Sequence, residues 1–131
     1  MYSNRKTILV VEDEFFISMR LVQLLDSWGY SSLTAHTGEI AIACAQSQTI
    51  NLVLMDIDLG TGMDGTDTAR EILKTRNVPI VFHTSYSEHE VQDRISGITH
   101  YGCIQKSVSD FELMSRVNAA IQRFEMQEPQ N

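Results

Sequence analysis

The chain has 131 residues, 43% of them hydrophobic, and a formal net charge of −7. That length holds one domain with one proper core, and the acidic balance argues against a general nucleic-acid or anionic-membrane surface. No apolar run approaches the ~20 residues of a membrane span and no signal peptide opens the chain, so a cytoplasmic protein is expected. Residues 1–131 read as a single domain, its core about 6–125, with short polar tails. Cys44 and Cys103 stand far apart, outside any C-x-x-C pair, and read as reduced thiols. None of His36, His83, His89 and His100 is spaced as a zinc ligand pair, and all four read as structural or surface groups.

Thr7 to Val11 is a short unbroken apolar run, the mark of a strand buried on both faces. It ends on three acids, Glu12, Asp13 and Glu14, and a helix follows with Asp13 expected as its N-cap. Ile17, Leu21, Leu24 and Trp28 fall on one face of that helix, and Gly29 stops it. Ser31 to Ala35 is a weaker, more polar strand, expected near an edge. Thr37-Gly38 opens a helix to about Gln46 whose inner stripe, Ala41, Cys44, Ala45 and Gln48, is small enough to lie close to a sheet.

Asn51 to Met55 is the most apolar strand and runs straight into Asp56. A glycine-rich loop, 56–65, leads to a helix over Thr66 to Arg76 with Ala69, Ile72 and Leu73 facing in. Pro79 to His83 is a fourth strand, with proline tolerated at its first residue. Ser87-x-x-Glu90 is a capping box, and Val91, Ile95 and Ile98 share a face of the helix it opens. Gly102 to Gln105 is a short fifth strand ending on Lys106. Ser109-x-x-Glu112 caps a last helix with Met114, Val117, Ile121 and Phe124 as its stripe.

Strand and helix alternate five times. That order predicts an α/β fold, a parallel sheet with helices on both faces. Right-handed crossovers leave few topologies, one being the flavodoxin-like order 2-1-3-4-5 with its switch point between strands 1 and 3. On that frame Glu12, Asp13, Asp56, Thr84 and Lys106 all leave strands at the C-terminal edge of the sheet. Three converging carboxylates repel one another and call for a proton or a cation. Oxygen ligands in a small, partly hydrated site suit Mg²⁺. A metal, a lysine and a hydroxyl around one nucleophilic carboxylate are what phosphoryl transfer to aspartate requires.

Val-Val-Glu12-Asp13-Glu14, Leu-Met-Asp56-Ile, Met63-Asp64-Gly65, His83-Thr84-Ser85 and Gln105-Lys106, in that order and each at a strand end or in a strand-following loop, resemble the receiver domain of two-component response regulators. The resemblance covers about residues 6 to 125. It implies that Asp56 accepts a phosphoryl group from a phosphohistidine on a histidine kinase or phosphotransfer protein. It further implies Mg²⁺ (or Mn²⁺) on Asp13, Asp56 and the backbone carbonyl of Asp58, with Glu12 acting through water. Thr84 and Lys106 would then hold the phosphoryl group, and the surface of the fourth helix, fifth strand and fifth helix would repack to bind a target or a second copy. Such a domain dephosphorylates itself slowly and is not a turnover enzyme. The chain reads as a free-standing receiver, a relay intermediate or part of a larger kinase, and the loop Asp58 to Gly65, with its Gly-Met-Asp-Gly turn, is similar to receivers associated with sensor kinases.

Three positions depart from the family's pattern. Cys103 stands where an aromatic switch residue is usual, so the switch either lacks its aromatic or borrows Tyr101. Ser107 replaces the proline that usually follows the lysine, which makes a cis bond there improbable. Asp58 adds a fourth acid two residues past the acceptor, placed to repel a phosphoryl group or to orient an attacking water. Two other functions fit parts of the chain. A receiver fold that no longer takes phosphate would serve as an interaction module. Asp56-Ile57-Asp58 at a strand end resembles the nucleophile motif of haloacid-dehalogenase-type phosphatases, although here it lies on the third strand of a small domain. Asp56, Asp58 and Gly60 do not fit an EF-hand loop, which needs glycine at its sixth position.

Overall fold

The computed structural model describes residues 4–60 and 62–127. Five parallel strands, β1 (Thr7–Val11), β2 (Ser31–Ala35), β3 (Leu52–Met55), β4 (Ile80–Thr84) and β5 (Cys103–Gln105), form one sheet in the order β2-β1-β3-β4-β5. The helices α1 (Phe15–Ser27), α2 (Gly38–Ser47), α3 (Gly65–Thr75), α4 (Glu88–Ile95) and α5 (Asp110–Gln127) follow the strands in turn. This is the flavodoxin-like, three-layer fold expected from the alternation.

Strand residues alternate between two cores, because successive side chains of a strand point to opposite faces. Leu9, Val11, Val53, Met55, Ile80 and Phe82 meet Ala41, Ala69, Ile72, Val91 and Ile95 from α2, α3 and α4. Ile8, Val10, Leu52, Leu54 and Val81 meet Leu21, Leu25, Leu113, Val117 and Ile121 from α1 and α5. The unbroken apolar runs are thus the signature of strands covered on both sides. β2 has a neighbour on one side only, which matches its polar sequence.

The caps explain where most helices begin. Thr37 accepts the Ile40 N–H at 3.1 Å, Asp64 accepts the Asp67 N–H at 2.9 Å, and Ser87 and Glu90 form the expected reciprocal box. At α5 the Glu112 N–H donates to Ser109 Oγ at 3.1 Å. The start of α1 differs from expectation: Glu14 rather than Asp13 is the N-cap residue, and it makes no side-chain cap bond. Its buried face also lies about one residue round, on Ser18, Leu21 and Leu25. Trp28 is 40% exposed and tilts against the Phe111 ring, 5.9 Å between centroids. In α2 the buried residues are Gly38, Ala41 and Ala45, while Gln48 is the exposed C-cap. α5 continues through Gln127, past the Glu125 expected to begin a tail, and the rest of that tail lies outside the described residues.

Gly65 shows how tightly the helices pack on the strand ends. A Cβ there would lie 1.9 Å from the backbone oxygen of Asp56, while its own N–H donates to Ile57 O at 2.7 Å. α3 can start this close to the third strand only without a side chain. Gly65→Ala is expected to cost about 3 kcal/mol by forcing the two backbones apart. A urea unfolding midpoint equal to that of the wild type would refute this.

Candidate functional site

Register sets the site. Val11 pairs with Met55, and the Asp56 N–H donates to Val11 O at 3.0 Å, so Glu12 and Asp56 leave neighbouring strands side by side. Carboxylate oxygens of Glu12, Asp13 and Asp56 all lie within 4.8 Å of one another. Thr84 closes β4 opposite Gln105, and Lys106 follows at the end of β5, its N–H donating to Thr84 O at 2.7 Å.

The Lys106 ammonium joins two of the acids. Nζ lies 2.8 Å from Glu12 Oε1 and 3.0 Å from Asp56 Oδ2. The Glu12 and Asp56 side chains are 1% and 7% exposed, so both bonds are made largely out of water. The second oxygen of each carboxylate takes a backbone N–H: Glu14 donates to Glu12 Oε2 at 3.1 Å and Asp58 to Asp56 Oδ1 at 3.3 Å. The Asp13 carboxylate is exposed and has no hydrogen-bond partner among the described residues. Gly60, with a φ of 77°, packs so near it that a Cβ would come within 3.0 Å of Asp13 Oδ2.

The charges do not balance. Burial, then the neighbouring Glu12 carboxylate, push the Asp56 carboxyl up to about 7 although Lys106 pulls the other way. Burial would lower the Lys106 ammonium, but its bonds to Glu12 and Asp56 outweigh this and raise it. On the α1 and α5 side of β4, His83 is buried, and desolvation, then Lys106 and Arg20, push it down to about 4.

The remaining expected residues fall in different places. Thr84 is buried, and its hydroxyl accepts the Tyr86 N–H at 3.2 Å rather than bonding Asp56. Cys103 is buried on the α4 side of the sheet, its thiol raised by burial and then by Glu88, with Arg116 opposing. Tyr101 does not take the place of an aromatic there. It packs on the opposite, α5 side, where its hydroxyl donates to Gln127 Oε1 at 2.8 Å and the Arg123 guanidinium sits 5.1 Å from its ring centroid. Gly102, with a φ of 150°, breaks the alternation that would have put residues 101 and 103 on one face. No cis peptide occurs among the described residues, in keeping with Ser107. The side chain of Asp58 points to Arg94 of α4, Nη2 to Oδ1 3.3 Å. Neither this pair nor the Lys106–Glu12 bond was expected from sequence. Each joins residues far apart in the chain: Glu12 and Lys106 follow separate strands, and Arg94 belongs to no motif.

A profile of the response regulator receiver domain matches residues 8–118. The chain belongs to that family. It is 34% identical over 128 residues to the probable transcriptional regulator ycf27 of Cyanophora paradoxa, covering 95% of this chain and 52% of that protein. It spans about half the length of the curated relatives it matches. The fold superposes with a TM-score of 0.86 on the N-terminal domain of a response regulator/sensory box/GGDEF protein from Carboxydothermus hydrogenoformans, at 37% identity, covering 92% of this chain and 98% of that one. A receiver domain of a sensor histidine kinase from Pseudomonas aeruginosa superposes with a TM-score of 0.82 at 26% identity, covering 90% and 98%, and holds a magnesium ion in its active-site cleft. Receiver domains serve two-component signalling, interact with histidine kinases, bind Mg²⁺ at an acidic site, and are in general not turnover enzymes. The three clustered carboxylates of this chain have the all-oxygen chemistry such a site needs.

The raised Asp56 carboxyl gives metal-free stability a definite pH dependence. An unfolded chain releases this proton near pH 3.8, the folded one near 7. Folding is therefore opposed progressively as pH rises from about 4 to about 7, and the loss persists above that. Asp56→Asn removes the titration. In EDTA it is expected to melt about 5 °C or more above wild type at pH 8, with the gap closing toward pH 4. A variant that melts below wild type at pH 8 would contradict this origin of the shift.

Proposed function

We propose that this receiver is a phosphoacceptor in a two-component or phosphorelay system, loaded at Asp56. The observation that carries this reading is the Lys106 ammonium bridging Asp56 and Glu12 within a three-carboxylate pocket. One Asp56 oxygen attacks the phosphorus of a phosphohistidine on a partner histidine kinase or phosphotransfer protein. The new P–O bond forms as the P–N bond breaks, and the freed imidazole nitrogen takes a proton. Charge spreads over the transferring oxygens, so positioning and electrostatics supply the catalysis.

Asp13, Asp56 and the backbone carbonyl of Asp58 would hold Mg²⁺, or Mn²⁺ with the same donors. The unpartnered Asp13 carboxylate supports direct ligation. Glu12, with both oxygens already engaged, supports contact through water. When bound, the cation neutralises the acids and the incoming phosphoryl oxygens. Lys106 would turn from carboxylate to phosphoryl oxygen. The Thr84 hydroxyl, which accepts from the Tyr86 N–H, would donate its own proton to the same group. That change biases the surface of α4, β5 and α5, through which a target or a second copy would read the state. Attack of water on the aspartyl phosphate resets the domain slowly, without steady turnover. Among the described residues no helix is long and apolar enough to cross a membrane.

The test uses the protein and its Asp56→Asn variant with Mg²⁺ and a small acyl-phosphate donor, read by intact mass. The wild type is expected to gain one phosphoryl group and to lose it to hydroxylamine; the variant gains none. A wild type that neither gains mass nor binds a Mg²⁺-fluoroberyllate mimic would show a phosphate-independent interaction module instead. Continuous turnover of small phosphate esters would point to a phosphatase.

A further inference from the structure

Asp58 poses a problem that the receiver chemistry leaves unsolved. Its backbone faces the acceptor, since its N–H donates to Asp56 Oδ1 at 3.3 Å. Its carboxylate would add a further negative charge beside a pocket that already holds three acids against one lysine. Yet the side chain turns outward. Arg94 Nη2 lies 3.3 Å from Asp58 Oδ1 and 3.3 Å from Asp64 Oδ2, so a single guanidinium nitrogen spans both carboxylates. Arg94 is the one side-chain partner of Asp58 among the described residues.

Its two acids are not equivalent. Asp64 is fixed without Arg94. As N-cap of α3 its Oδ1 accepts from the Asp67 N–H at 2.9 Å and from the Thr66 hydroxyl at 2.7 Å. Burial would raise the Asp64 carboxyl, but these two bonds and then Arg94 draw it down. Asp58 has no such second anchor. Arg94 in turn is steadied through its backbone: Arg70 of α3, itself paired with Asp67, donates to Arg94 O at 3.2 Å. Asp64 is therefore held in two ways, whereas Arg94 is the single side-chain anchor of Asp58 among the described residues.

We propose that Arg94 is a positioning residue for the chemistry at Asp56: it keeps the Asp58 carboxylate out of the acceptor pocket, so that α4 controls how negative that pocket is. The inference rests on the phosphoacceptor reading above. In contact with solvent, an ion pair of this kind adds little to stability. Its effect is on where one charge sits. A carboxylate a few ångströms nearer the acceptor repels an incoming phosphoryl donor and attracts a cation.

Arg94→Ala frees Asp58. The expected result is about tenfold slower phosphorylation by a small acyl phosphate at saturating Mg²⁺, together with about threefold tighter Mg²⁺ binding by calorimetry. Arg94→Lys, which keeps the charge on a shorter donor set, falls between. The decisive comparison is made in an Asp58→Asn background, where Arg94→Ala adds neither effect because no charge remains to be released. A purely structural role for Arg94 in seating α4 would show the same loss in both backgrounds, and that outcome overturns the proposal. So does an Arg94→Ala protein that matches wild type in both measurements. Wild-type protein that takes neither Mg²⁺ nor phosphoryl group overturns the underlying phosphoacceptor reading, and the inference with it.

Discussion

The site depends on one ammonium group reaching two buried carboxylates. Lys106 leaves the edge strand β5, while Asp56 leaves β3, two strand spacings or about 10 Å away with β4 between. Only a long, flexible side chain carrying a compact charge can cross that gap and satisfy oxygens of both Glu12 and Asp56. Several features of the fold then follow as supports. β1 and β3 must be neighbours in register so that the two acids sit side by side. β5 must be anchored at its last residues, which the Lys106 N–H bond to Thr84 O achieves. α3 must begin close under Asp56, which Gly65 alone permits.

An ionic cluster of this kind is weak evidence for stability. Apolar groups of similar volume in place of a buried ionic cluster are often neutral or stabilising. Here one lysine faces two buried acids and a third exposed one, and Asp56 responds by holding its proton to about pH 7. On the phosphoacceptor reading, the missing positive charge is what a metal ion supplies and what keeps the pocket receptive to phosphate. The unbalanced charge is confined to the strand ends, above a sheet buried on both faces.

The fold was legible from the chain because both its signals are local. Thr7–Val11 and Leu52–Met55 are continuous apolar runs, and Ser87 with Glu90 spells a helix start within four residues. The site was legible because each acid, hydroxyl or lysine ends a strand, and parallel strands gather their ends at one edge. The misreadings have physical causes. Asp13 was expected to cap α1, but its carboxylate lies with the acid cluster and the helix starts uncapped one residue later. Tyr101 is near Cys103 in the chain but does not stand in for an aromatic there: Gly102 lies between them, residue 101 precedes the strand, and the ring goes to α5. Arg94 gave no signal, because its partners Asp58 and Asp64 lie 36 and 30 residues away and an arginine on an exposed helix face is ordinary.

These findings bear on how a receiver without an aromatic at position 103 could pass on its state. α4 is short and buries only Val91 and Ile95 within its eight residues, so its apolar hold on the sheet is narrow. Elements with few buried apolar groups lie at the low-stability end of a structure and shift most easily. Both ends of α4 are instead tied to the rim of the acceptor pocket. Its N-cap, Ser87, follows Thr84 by three residues, and the Thr84 hydroxyl already bonds the N–H of Tyr86 between them. Toward its other end, Arg94 bonds the carboxylates of Asp58 and Asp64 on the loop that leaves β3. A charge added at Asp56 would draw the Thr84 hydroxyl proton at one end and change the field on Asp58 at the other. On the phosphoacceptor reading, with Cys103 too small to report the change and the Tyr101 hydroxyl bonded to α5, these two polar ties would carry chemistry at Asp56 to the α4 surface.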